Sequence, residues 1–233
     1  MGSFDIHTRN KPRTAGPVGR TTGLALLALV AVGFVALSLR RYLALDPARS
    51  MVELSPTIFP LLVGHVVFGS VAMLMALLQI SPRFRAASPV RHRIAGQIYV
   101  FAGVVPAGVL ALVVACFSPF GPVARASNLV FACVWLGVTL VGWRAGRRGR
   151  ARVHRRWMIR SAVLTFSILT NRLWGPLAYV LLEPRLATTF HGDETFFAWT
   201  IAGLSTWLGW TLPLLITEGL LEREVDVDHQ VLT

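Results

Sequence analysis

Three histidines and two arginines carry the chemistry this 233-residue chain could perform, because each opens or interrupts a long apolar run: His65, His92, His154, Arg160 and Arg172. His92 and His154 are each followed by an arginine, Arg93 and Arg155, at the start of an apolar stretch. If those stretches are neighbouring helices, the two imidazoles face each other across a gap, an arrangement that suits the axial positions of a b-type haem. Arg93, Arg155 and Arg160 then stand where guanidinium groups would pair with haem propionates. The plainer reading places the same histidines among arginines at lipid phosphates. His65 is either a hydrogen-bonding group between helices or a further haem or metal ligand. Gln79 and Tyr99 add hydrogen-bonding capacity near the same end, with interfacial anchoring as their simpler role.

Arg172 lies well inside an apolar run, at a depth where an ionisable group costs several kcal/mol unless it finds partners. Five helical turns separate it from His154, so the two share one face with Ser161 and Thr165, their ends roughly 27 Å apart. The central parts of the apolar runs hold no Asp or Glu, which leaves Asn171, hydroxyls, carbonyls, water or a bound anion as partners for the guanidinium. His65 and Arg172 fall at similar expected depths, roughly 12 and 16 Å from one side, and are expected to line one cavity there.

The elements that must position these groups are membrane helices. With 54% apolar residues, 15% charged residues and a mean hydropathy of +0.60, the chain is far from a soluble domain. The net charge of +12 flanks apolar runs instead of forming a basic face, which argues for membrane topology and against nucleic-acid binding. Cys116 and Cys133 both lie in apolar segments and are expected to pack as small hydrophobes. Phosphate-binding loops, nucleophile elbows and HExxH motifs are missing, so hydrolase and ATPase readings fall away.

Six apolar runs are long enough to span: 22–39, 57–80, 94–117, 128–146, the stretch from His154 to Leu182, and 196–217. The first resembles a secretory h-region but ends at Arg40 and Arg41 without a small-residue cleavage site, so it reads as a spanning helix. Pro106 is expected to bend the third. The expected organisation is a tail over 1–20, a six-span domain over 21–217 with spans two to five forming a four-helix core, and an acidic tail over 218–233. Arginines crowd the connections at 81–93 and 144–156, whereas the opposite side holds Arg40, Arg41, Arg49, Arg125 and Arg185. That asymmetry predicts both termini in the cytoplasm and a plasma-membrane location. Trp143, Trp157 and Tyr99 are expected at the inner interface, and Tyr42, Tyr179 and Trp199 at the outer one.

Taken in order, His65, Gly69, Ala72 and Gln79, then His92-Arg93, Gly96 and Tyr99, then His154-Arg155, Trp157-Met158, Arg160-Ser161 and Arg172 form a pattern. It resembles the predicted membrane-protein family called domain of unknown function 2306 over roughly residues 57 to 183, departing from it at Ile80 and Gln97, where Phe and Arg would be expected. The resemblance implies a membrane bundle and the same polar positions; it implies no activity. The expectation from the residues is a b-type haem-binding or quinone-linked membrane redox protein. The alternatives are a small transporter or lipid- or anion-binding protein using Arg172 and Asn171, and a structural subunit of a membrane complex. Whether the chain is an enzyme stays open at this point.

Overall fold

The structure, a computed structural model, describes residues 17–42 and 55–231. The expected tail over 1–16, with Arg9, Lys11 and Arg13, and the connection bearing Arg49 and Glu53 lie outside the described residues. The described chain is helical: α1 Pro17–Tyr42, α2 Phe59–Ile80, α3 Pro82–Ala87, α4 Pro89–Gln97, α5 Val105–Cys116, α6 Gly121–Arg147, α7 Ala151–Leu182 and α8 Glu194–Val231. A π-helical stretch, Ile98–Val104, joins α4 to α5, so that Pro89–Cys116 forms one long rod.

Two Ser-Pro pairs explain why the expected connection at 81–93 is instead helical. Ser81 accepts a hydrogen bond from the Phe84 amide and Ser88 one from the Arg91 amide, each with proline at the first helical position, where its missing N–H is not needed. His92 and Arg93 therefore sit in the opening turns of a helix. Pro106 acts within the same rod: it cannot donate to the carbonyl one turn back, and the chain upstream widens, with the Val105 amide bonding to the Val100 carbonyl five residues earlier. Gly149, at a φ of 69°, makes the tight turn that sets α6 and α7 antiparallel side by side.

Among the described residues five helices are long and apolar enough to cross a membrane: Thr21–Tyr42, Phe59–Ile80, Pro89–Cys116, Gly121–Arg147 and Glu194–Arg223. The sixth long helix is α7, whose 32 residues extend about 48 Å and pack lengthwise against α6 and α8. Leu29 and Leu37 of α1, Leu173 and Val180 of α7, and Leu215 and Ile216 of α8 point outward, and lipid is the solvent such an exterior requires. The protein is an all-α multi-pass membrane bundle. Its acidic end continues α8, which runs to Val231.

The core is a four-helix square. The rod Pro89–Cys116 touches α2 and α6, and α7 touches α6 and α2, so the rod and α7 occupy one diagonal. Ala72 and Ala76 of α2, Tyr99 and Val100 of the rod, Trp135 and Val138 of α6, and Leu164 of α7 fill the centre. Small residues set the spacing: a Cβ on Gly103 would come within 2.8 Å of the Ala72 backbone, so α2 and the rod touch nearly main chain to main chain. Outside the square, α8 covers α6 and α7, and α1 leans on α2.

Two tyrosines lie deeper than expected. Tyr99, expected at the interface, is 1% exposed in the core because hydroxyls on α7 satisfy its phenol there, and Tyr42 is buried against Phe59, Leu62 and Val63. Tyr179 and Trp199 are exposed. Cys116 and Cys133 lie on outward faces of their helices.

Candidate functional site

A layer of hydroxyl groups crosses the diagonal of the square. The Tyr99 hydroxyl lies 2.5 Å from Ser161 Oγ and 2.7 Å from Thr165 Oγ1, both on α7. Thr139 of α6 joins at 2.6 Å from Ser161 Oγ, and the Trp135 indole N–H donates to Thr165 at 3.0 Å. Thr139 Oγ1 and Thr165 Oγ1 also lie 2.7 and 2.9 Å from the carbonyls of Trp135 and Ser161, one turn back on their own helices, so each single hydroxyl proton is shared between a carbonyl and the layer. Five buried polar side chains thus satisfy one another in an otherwise apolar interior, where an unpartnered hydroxyl would cost roughly 1–3 kcal/mol. Ser161 and Thr165 lie on the stripe expected from the sequence. Trp135 and Thr139 were not anticipated, although a polar pair one turn apart inside an apolar run is the signal that marks them.

This layer fixes how the two basic-end histidines are aimed. His92 is seven residues before Tyr99, and His154 seven before Ser161. Seven residues are two turns less about 20°, so each histidine lies on the stripe of its hydroxyl partner, about 10.5 Å nearer the basic end. Since Tyr99 and Ser161 meet, the stripes that carry His92 and His154 are turned toward each other across the diagonal. His154 Nδ1 lies 2.8 Å from the Gly142 carbonyl; a carbonyl only accepts, so Nδ1 carries the proton and Nε2 stays free as a ligand atom. The ring rests on Gly146, where a Cβ would lie 2.8 Å from Nδ1. His92 is held through its backbone, whose carbonyl accepts from Gln79 Nε2 at 2.9 Å. Its Nδ1 is buried without a hydrogen-bond partner.

The remaining candidates are distributed differently. His65 Nδ1 donates to the Ala107 carbonyl at 2.9 Å and ties α2 to α5. Arg172 is exposed on α7, and Asn171 is half-buried where α8 crosses, packed beneath Gly209. No hydrogen bond joins His65 to Arg172 among the described residues, so the expected shared cavity is not formed by contact between them. Arg93 and Arg155 are exposed at the basic end beside the histidines. Arg160 is engaged elsewhere: its Nε and one terminal nitrogen both donate to Glu218 of α8 at 2.6 Å, and its guanidinium lies 4.8 Å from the Trp157 ring centre. Among the described residues no three His, Cys, Asp or Glu side chains gather.

Neither the curated proteins nor the solved structures compared with the chain gave a match. A family model described as "Predicted membrane protein (DUF2306)" matches residues 62–217, reaching from α2 through most of α8 and so farther than the motif positions that end in α7. The matched region contains nearly all of the square, the hydroxyl layer, both basic-end histidines and Arg160, ending one residue before Glu218, and the chain belongs to the DUF2306 family of predicted membrane proteins.

Proposed function

We propose that the chain is a b-type haem-binding membrane redox protein, with His92 and His154 as the axial ligands of one haem between α4 and α7 at the basic end. The diagonal placement of these two histidines carries the reading. Neighbouring helices pack 8–10 Å apart, too close to admit a porphyrin between them, whereas the diagonal of a four-helix square is wider, about 11–14 Å. Both imidazoles stand on stripes that face across that diagonal, two turns from the Tyr99–Ser161 contact.

The chain's own groups suit the role. The bond from His154 Nδ1–H to Gly142 orients the ring, makes Nε2 more basic and leaves it free. His92 offers a buried ring nitrogen with no competing partner. Arg93 and Arg155, exposed at the same end, are placed to bind the propionate carboxylates. Haem, when bound, supplies one-electron exchange; the protein supplies ligands, burial and charge. A quinone-class carrier in the bilayer is the electron partner that suits the apolar exterior. The asymmetry of the arginines supports a cell-membrane location with both ends cytoplasmic.

The test is haem content in full-length protein expressed with abundant haem precursor. Wild type and His65→Ala are expected to hold haem at comparable stoichiometry, and His92→Ala and His154→Ala to lose most of it. Retention of wild-type haem by both His92→Ala and His154→Ala would overturn the assignment.

A further inference from the structure

A trough of about 540 Å³ opens on the outside of the bundle at the basic end, lined by Gln97, Ile98, Phe101 and Ala102 of the rod and by Trp143 and Arg147 of α6. It faces away from the diagonal gap, and no part of the haem reading depends on it. Its floor is apolar and aromatic: Phe101 stands edge-on to Trp143 at 5.1 Å, with Phe101 50% exposed toward the outside. Its basic rim is Arg147, whose guanidinium lies 5.9 Å from the Trp143 ring centre. One wall is the π-helical stretch, a rare conformation that concentrates at functional sites because its wider turns carry a cost in packing.

We infer that this trough is a binding site for an anionic phospholipid of the leaflet at the basic end, with its phosphate at Arg147 and Gln97 and an acyl chain along Ile98 and Phe101. Charge complementarity selects an anionic occupant. No Asp or Glu occurs between Glu53 and Glu183, so α2 through most of α7 bring arginines to this end with no acid of their own. Of the acids that α8 carries, Glu218 already holds Arg160 in a bidentate pair, and those from Glu222 onward are fewer than the arginines of 81–93 and 144–160. The positive field over the trough is therefore left for an external anion to neutralise, and a headgroup with net negative charge does this where a zwitterionic one does not. The aromatic floor beneath a guanidinium rim matches a phospholipid, whose chain and phosphate meet at the depth where Trp and Arg anchor.

The test uses the full chain in nanodiscs doped with bromine-labelled phosphatidylglycerol or bromine-labelled phosphatidylcholine, and reads tryptophan quenching. Comparison with Trp143→Phe isolates the share of Trp143. In wild type that share is expected to be half-quenched at about fivefold less phosphatidylglycerol than phosphatidylcholine. Arg147→Ala should bring the two lipids together, while Arg147→Lys and Arg172→Ala keep the preference. Equal quenching of Trp143 by both lipids in wild type, or an unchanged preference in Arg147→Ala, would overturn the site.

Discussion

The phenol of Tyr99 and the hydroxyl of Ser161 meet at 2.5 Å across the diagonal of the helix square, and this contact determines which way the helices above it face. Thr165 and Thr139 close around it at 2.7 and 2.6 Å, so the contact is one part of a layer with little freedom to rotate. Because His92 and His154 each lie seven residues from a member of that pair, the layer acts as a register pin for the gap at the basic end.

Removing the pin should loosen both the core and the gap. Tyr99→Phe keeps the ring but strips its bonds to Ser161 and Thr165, and it is expected to cost roughly 1–3 kcal/mol. Thermal unfolding in detergent reads this as a lowered Tm. A Tm equal to wild type would mean the layer contributes nothing net.

Gly146 has no room for a methyl group. Its added Cβ would meet His154 Nδ1 at 2.8 Å, so Gly146→Ala should displace the imidazole from the Gly142 carbonyl at a cost of about 1–3 kcal/mol. The haem reading adds a sharper expectation, a haem content below that of wild type in Gly146→Ala. If haem is bound and its content is unaffected, His154 is not held by that carbonyl when it ligates.

The pair Arg160–Glu218 clips α8 to α7. It is two-pronged, but the Glu218 side chain is 33% exposed, so it ranks between a surface pair and a buried one, about 1–2 kcal/mol. A double-mutant cycle with Arg160→Met and Glu218→Gln measures the coupling directly. Additive effects of the two substitutions would show that the contact is not stabilising.

Much of the fold was legible because the bilayer restricts the choices. Apolar runs of spanning length and the bias of arginines led to six helices and a four-helix core, and His92-Arg93 and His154-Arg155 were visible as helix openings. Partners distant in sequence were not legible. Glu218 reads as the start of an acidic tail until α8 continues past it and lays it beside Arg160, 58 residues away. Tyr99 reads as an interfacial anchor, since its hydroxyl partners lie on a helix more than 60 residues further along. The helices α3 and α4 were hidden by their arginines, although the repeated Ser-Pro pair was a start signal open to reading. His65, a candidate ligand from the sequence, bonds to a carbonyl on α5.

Whether His92 and His154 hold haem iron between them is read from a visible spectrum of the full-length protein purified from cells supplied with haem precursor. A Soret band that shifts on reduction with dithionite is expected, together with a sharp α-band in the reduced form. A colourless, iron-free preparation of folded protein would contradict it.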